Sequence, residues 1–192
     1  MKLLQIDSSI LGQNSASREL TAAIVASWQD AIPNLQRNYR DLDREPLPHL
    51  DGSALAKSDP VAATEAERVL EEFLAADVVV IGAPMYNFSV PSTLKAWIDR
   101  ISVAGRTFRY TENGPQGLAG GKKVIVASTR GGMHSGANSD FVEPYLRFLF
   151  AFLGITDIEF VTAEGLAYSP EHRITALATA RATISRPLPL AA

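Results

Sequence analysis

The strongest constraint on the fold is a regular alternation of short apolar stretches with longer amphipathic segments, repeated five times along the chain. Four of the short stretches are rich in Val, Ile and Leu, which is typical of strands that are buried on both faces. They are Lys2 to Asp7, Asp77 to Ala83, Lys122 to Thr129 and Ile155 to Ala163. A fifth stretch, Leu35 to Leu42, shows little alternation and suits the edge of a sheet.

The longer segments carry apolar residues at spacings of three and four, which predicts amphipathic helices. They are Ser17 to Ala31, Pro60 to Ala76, Pro91 to Ala104, Asn138 to Leu153 and Pro170 to Ser185. The alternation of strands with helices predicts a parallel sheet with helices on both faces, joined by right-handed crossovers. Five strands in 192 residues favour an α/β, flavodoxin-like doubly wound fold with strand order 2-1-3-4-5 over a six-stranded dinucleotide-binding fold. No linker divides the chain, so we expect one domain over 1–192.

Composition excludes several functional classes. The chain has 18 Lys and Arg against 21 Asp and Glu, so it lacks the positive excess that nucleic acids and anionic membranes attract. It has no Cys, which excludes disulfides, thiolate nucleophiles and Cys-ligated metals, and His49 and His172 lie too far from other ligand types to suggest a metal site. The longest apolar run, Phe148 to Ile155, is far shorter than the about 20 residues of a membrane span. Because Asp7 also comes too early for a signal peptide, we expect a cytoplasmic protein.

The loop after the first strand, residues 8–17, carries four hydroxyl groups. In an open parallel sheet, ligands bind beyond the carboxyl ends of the strands where the strand order reverses, here between the first and third strands. Hydroxyls around a helix N-terminus form a phosphate site that needs no Lys. On this loop alone, a polar loop with a serine helix cap is an equally good interpretation. The loop lacks both the Gly-x-Gly-x-x-Gly and the Gly-x-x-x-x-Gly-Lys-Ser/Thr motifs, which argues against a dinucleotide at the first turn and against a nucleoside triphosphate.

Two further loops are expected at the same edge. The first places Met85, Tyr86 and Phe88 beside Asn87. Exposed apolar side chains in a loop suit the binding of a flat ligand. For this loop taken alone, rings packed against the core are the commoner explanation. The second, residues 128–134, contains paired glycines that let backbone N–H groups approach an anion, although a tight turn also explains them. Together the three loops indicate a mononucleotide that bears a flat ring, and FMN is the natural candidate.

These residues resemble the FMN-dependent NADH-azoreductases, also described as NADH:quinone oxidoreductases, within the wider group of flavodoxin-like quinone reductases. The resemblance runs almost end to end. Its motifs are Ser8-Ser9-Ile10, Ser15-x-Ser17, Ala83-Pro84-Met85-Tyr86-Asn87-Phe88, Thr107 to Pro115, Gly120-Gly121-Lys122-Lys123, Arg130-Gly131-Gly132, Gly154-Ile155-Thr156 and Ala163-Glu164-Gly165.

The resemblance implies an FMN site of twelve residues in three groups. These are Ser9, Ser15, Ala16 and Ser17 at the phosphate, Met85, Tyr86, Asn87 and Phe88 along the isoalloxazine, and Thr129, Arg130, Gly131 and Gly132 at its pyrimidine edge. Ala16 would act through its backbone, and the Asn87 N–H would face flavin N5. Two positions depart from the family pattern, because relatives generally have Ser at position 129 and often a polar residue at position 16.

The resemblance also implies an activity. NADH or NADPH would pass a hydride to flavin N5, and quinones or azo compounds would then be reduced at the same face in a ping-pong reaction that needs no catalytic side chain. The alternative is a non-catalytic FMN electron carrier of the flavodoxin type, which usually has a strongly acidic face, whereas the net charge here is −3. A homodimer is implied, with residues 105–121 reaching the partner's flavin. His134 is interpreted as a solvated residue, and the sequence indicates neither the preferred nicotinamide nucleotide nor the physiological acceptor.

Overall fold

The fold is built on one five-stranded parallel sheet and is described by a computed structural model over residues 1–56, 58–185 and 187. The strands are β1 (Lys2–Asp7), β2 (Gln36–Asp41), β3 (Val78–Pro84), β4 (Phe108–Thr111), β5 (Gly114–Gly117), β6 (Lys123–Thr129) and β7 (Asp157–Ala163). The helices are α1 (Ala16–Ala31), α2 (Gly52–Ala56), α3 (Pro60–Ala75), α4 (Ser92–Ile101), α5 (Val142–Phe152) and α6 (Pro170–Ala182), and a 3₁₀ turn (Gly12–Asn14) precedes α1.

The sheet has the order β2-β1-β3-β6-β7, and β4 and β5 form a separate antiparallel hairpin. This hairpin was not predicted from the sequence, so the predicted order 2-1-3-4-5 did not include the two strands that lie between β3 and β6 along the chain. The reason is local, because β5 consists of Gly-Pro-Gln-Gly, and Gly and Pro are depleted in strands. The point where the strand order reverses lies between β1 and β3, which are direct neighbours.

Helices cover both faces of the sheet, as predicted. On one face, α3, α4 and α5 bury Phe73, Trp97 and Phe150 against alternate residues of the strands. On the other face, α1 and α6 bury Leu20 and Leu177 against the intervening strand residues. Since successive strand side chains point to opposite faces, strands covered on both sides must be apolar at every position, which explains the continuous apolar runs.

Three predicted helix boundaries are wrong by three or four residues. Helix α6 ends at Ala182 rather than at the predicted Ser185, and the other two differ because side chains bind the backbone. Helix α5 begins after the predicted Asn138, since the carboxylate of Asp140 accepts the N–H of Glu143 at 3.2 Å. Helix α4 ends before the predicted Ala104, since the hydroxyl of Thr107 donates to the last carbonyl of the helix at 2.7 Å. Such local bonds offer the backbone an alternative to another helical turn.

The single domain predicted over 1–192 remains a prediction, and residues 57, 186 and 188–192 lie outside the described residues. None of the helices in the described part of the chain combines the length and the apolar character that crossing a lipid bilayer requires.

Candidate functional site

Three loops meet where β1, β3 and β6 end. We call them the hydroxyl loop (residues 8–17), the aromatic loop (residues 85–91) and the glycine loop (residues 129–134). The hydroxyl of Ser9 lies 3.1 Å from the phenol oxygen of Tyr86, which joins the first two loops. The backbone N–H of Met85 donates to the carbonyl of Thr129 at 2.8 Å, which joins the second and third. The structure therefore brings together the three segments that the sequence placed at one edge.

The hydroxyl loop presents buried hydroxyls at the N-terminus of α1. Ser15 is the N-cap residue, and its hydroxyl accepts the N–H of Arg18 at 3.2 Å and lies 3.1 Å from the hydroxyl of Ser17. Among the described residues, no hydrogen bond uses the N–H groups of Ala16 and Ser17. Unused N–H groups at the positive end of a long helix, next to two hydroxyls, form a site for a phosphate ester.

Arg18, which the sequence analysis missed, supports the hydroxyl loop from behind. Its guanidinium forms two hydrogen bonds with the Asp41 carboxylate at 2.6 and 2.7 Å and donates to the carbonyl of Ser9 at 2.9 Å. Burial opposes ionisation of Asp41, but the hydrogen bonds from Arg18 hold its pKa below the usual value. Burial also raises the pKa of Asp7. Burial and the nearby carboxylates of Asp7 and Asp41 raise the pKa of Tyr39 to about 12. The register of the parallel strands places Asp7 beside Asp41, so a cation is needed there.

The aromatic loop contains a strained turn. Tyr86 and Ser89 exchange two backbone hydrogen bonds of 2.9 and 3.0 Å, and the residues between them, Asn87 and Phe88, have φ values of +48° and +67°. Positive φ at both central positions is typical of a type I′ turn, which usually contains Gly, Asn or Asp. Phe88 therefore adopts an unfavourable backbone conformation, and the residue is 54% exposed. Strain of this kind occurs mainly at functional sites.

The glycine loop turns its backbone donors outward. The carbonyls of residues 130–132 accept N–H groups from residues 165–167 at 3.0 to 3.1 Å. Among the described residues, the N–H groups of Gly131 and Gly132 have no acceptor. They are therefore able to bind a negatively polarised ligand atom.

The side chain of Arg130 lies beneath the glycine loop, and its place along the pyrimidine edge of a flavin remains a prediction. Its side chain is 1% exposed, and its Nη1 lies 3.2 Å from Ser135 Oγ, 3.0 Å from Asp140 and 3.2 Å from Glu164. Its Nε and Nη2 have no partner among the described residues and are left able to donate. The main role of this side chain in the structure is to bind two carboxylates behind the loop.

His134 has more contacts than a solvated histidine. Its ring lies edge-on to that of Phe88 with 5.8 Å between centroids, and its Nδ1 is 2.8 Å from the hydroxyl of Ser139. It thus connects the glycine loop with the aromatic loop. Within the described ranges, no group of three or more acidic or histidine side chains is arranged to hold a metal ion.

Glu164 should make stability depend on pH. Burial opposes its ionisation, but donation from His134 and Ser135 lowers its pKa below the usual 4.5. A carboxyl group with a lowered folded-state pKa stabilises the fold above its unfolded pKa and loses that effect as the pH falls through the folded value. In urea unfolding, we therefore expect the stability advantage of the wild type over Glu164→Gln to be largest near about pH 7 and to shrink below about pH 4.5. An advantage that grows on acidification contradicts this assignment.

Comparison with known proteins places this geometry in context. The family model for the flavodoxin-like fold matches residues 1–188. The FMN-dependent NADH:quinone oxidoreductase of Stenotrophomonas maltophilia strain K279a is 62% identical over 184 residues, which cover 96% of this chain and 94% of that protein.

Solved structures agree with the sequence relatives. The azoreductase of Bacillus anthracis strain Sterne superposes with a TM-score of 0.85 at 29% identity and covers 96% of this chain and 98% of its own. The FMN-dependent NADH-azoreductase of Bacillus anthracis strain Ames Ancestor, solved in complex with FMN, gives a TM-score of 0.85 at 26% identity, with 97% and 99% covered. The chain therefore belongs to the flavodoxin-like family of FMN-dependent NADH:quinone oxidoreductases and azoreductases.

Proposed function

We propose that this chain is an enzyme that binds FMN and reduces quinones and azo compounds with electrons from NADH or NADPH in a ping-pong reaction. The observation that carries the proposal is the meeting of three loops at one edge of the sheet. Each loop presents either an exposed ring or backbone N–H groups that have no acceptor among the described residues. The names of the relatives support the flavin, the nicotinamide donor and the acceptor classes.

The residues of the hydroxyl loop fit the phosphate of FMN. The hydroxyls of Ser9, Ser15 and Ser17 and the backbone N–H of Ala16 would hold it. No Lys is needed, since the N-terminus of α1 supplies about half a positive charge and two unused N–H groups. The small side chain at position 16 leaves only its backbone for this contact.

The aromatic loop fits the flat ring system. Met85, Tyr86, Asn87 and Phe88 would line the isoalloxazine, and the Asn87 N–H, unused among the described residues, would face N5. The phenol of Tyr86 is fixed by Ser9 and by the N–H of Ile10 at 3.2 Å, so this side of the site has a defined shape before FMN binds. A site fixed in advance needs little ordering when the ligand arrives.

The glycine loop fits the pyrimidine edge. Thr129, Arg130, Gly131 and Gly132 would lie along it, and the two glycine N–H groups would donate to the ring atoms on which negative charge develops during reduction. When bound, FMN supplies the hydride chemistry, accepting two electrons from NAD(P)H and passing them to a quinone or an azo bond. The chain supplies position and hydrogen bonds, and no protein nucleophile takes part.

Steady-state kinetics test the proposal. Purified protein mixed with FMN should be yellow and should oxidise NADH when menadione or a simple azo dye is present, with parallel double-reciprocal lines. The same assay with NADPH measures the preference between the two donors. Intersecting lines contradict the ping-pong order, and negligible turnover without a protein partner supports the FMN carrier, which the names of the relatives do not favour.

We also propose that the chain functions as a homodimer. Two large rings lie exposed outside the core, Tyr110 on the β4-β5 hairpin and Phe148 on α5, each 76% exposed. Sedimentation of the FMN-loaded protein should give twice the chain mass of 20.7 kDa. A stable monomer with full activity contradicts the proposal.

A further inference from the structure

We propose that Glu164 is a positioning residue for the cofactor, because its carboxylate fixes the glycine loop so that the N–H groups of Gly131 and Gly132 point towards the pyrimidine edge of FMN. The inference rests on the proposed function. It assigns a role to the Ala163-Glu164-Gly165 motif, to which the sequence analysis gave none.

The carboxylate of Glu164 joins two parts of the fold. Glu164 follows the last residue of β7, and its Oε1 accepts the backbone N–H of His134 and that of Ser135, both at 2.7 Å. The same oxygen lies 3.2 Å from Nη1 of Arg130. One largely buried side chain, 11% exposed, thus connects Arg130 of the glycine loop and the turn at His134 and Ser135 to the end of β7.

The backbone that directly follows Glu164 sets the orientation of the glycine peptides. In a trans peptide the carbonyl of one residue and the N–H of the next point in opposite directions, and the described residues contain no cis peptide. The carbonyls of Arg130 and Gly131 accept N–H groups from Leu166 and Ala167 at 3.1 Å each. The N–H groups of the two glycines must therefore point away from the segment that follows Glu164.

Charge and position predict opposite effects at this residue. Arg130 faces two carboxylates, Asp140 and Glu164, so an excess of negative charge lies behind the loop. If Glu164 acted only through its charge, removing that charge would favour the negatively charged reduced flavin and raise its midpoint potential. If Glu164 acts by positioning the two donors, its removal makes the reduced flavin less stable and lowers the potential.

The test compares Glu164→Gln and Glu164→Asp with the wild type. Midpoint potentials are measured on FMN-loaded protein, FMN affinity by fluorescence quenching, and amide hydrogen exchange at the N–H groups bonded to the glycine loop on FMN-free protein. We expect both variants to show a more negative potential, about tenfold weaker FMN binding and faster exchange at Leu166 and Ala167, whose N–H groups donate to the loop carbonyls. The Asp variant separates charge from position, because it keeps the carboxylate but shortens its reach by one methylene.

Glu143→Gln is the matched control. It removes a carboxylate whose only side-chain partner among the described residues is Arg147, at 2.7 Å on the surface of α5, and should leave all three measurements unchanged. An unchanged or raised potential in Glu164→Gln, or wild-type behaviour of Glu164→Asp, overturns the inference. Failure of the wild type to bind FMN overturns the proposed function instead, and the exchange measurement still reports on the loop in that case.

Discussion

Replacing Ser15 and Ser17 together with alanine is expected to weaken FMN binding about 100-fold or more and to leave riboflavin binding nearly unchanged. A hydrogen bond to a charged group contributes roughly 1.5 to 3 kcal/mol, and each 1.4 kcal/mol corresponds to a factor of about ten. Riboflavin has the same rings but no phosphate, so it does not need these hydroxyls. Fluorescence quenching titrations with both flavins measure the ratio of the two affinities.

The control for this variant is Ser169→Ala. Ser15 also caps α1, so its loss costs stability of about 1 kcal/mol as well as a ligand contact. Ser169 caps α6 in the same way, with its hydroxyl accepting the N–H of His172 at 3.1 Å, but it lies outside the three loops. It should lose similar stability and bind FMN normally. Equal weakening of FMN and riboflavin in the double variant would show that the hydroxyl loop does not hold the phosphate.

Replacing Gly117 with alanine is expected to destabilise the fold by about 3 kcal/mol and to lower the melting temperature by about 10 °C. A Cβ at this position would lie 2.0 Å from the backbone nitrogen of Gly154 and 2.3 Å from the carbonyl carbon of Leu153. Both clashes involve backbone, so no side chain can rotate away to relieve them. Urea unfolding and thermal unfolding measure the effect.

The control for this variant is Gly52→Ala in the first turn of α2. An added Cβ there meets nothing within 4 Å, and Gly52 lacks a positive φ. The substitution should change stability by less than about 1 kcal/mol, since alanine is the better helix former. Wild-type stability of Gly117→Ala would mean that the β4-β5 hairpin does not pack against the end of α5.

The main sheet was predictable because its strands are buried on both faces. That burial forces long runs of Val, Ile and Leu, as in Val78 to Ile81, and such runs are visible without any tertiary information. The β4-β5 hairpin was not predictable, since β5 contains two glycines and a proline and is held by close approach to Gly154. The glycines that permit this close contact are rare in strands, so β5 does not resemble a strand in the sequence.

The loops of the site were predictable from residue type, but their supports were not. Serines at a helix start and paired glycines after a strand suggest ligand contacts by themselves. The bonds of Arg18 to Asp41 and of Glu164 to His134 join residues distant in sequence, so only the fold brings them together. The Arg130 side chain shows the same limit, because its bonds to Asp140 and Glu164 were not visible in the arginine-glycine-glycine motif.

The left-handed backbone at Asn87 and Phe88 has a consequence for the choice of acceptor. The two backbone bonds that close this turn hold the Phe88 ring in an exposed position before any ligand binds. The backbone strain of this turn, of order 1 to 3 kcal/mol, is already present in the folded protein. We propose that a ring held in this fixed position selects an acceptor by its thickness and planarity rather than by the arrangement of its polar atoms. Acceptors of very different shape should therefore compete for the same place, with ranking set by their intrinsic redox chemistry more than by their fit.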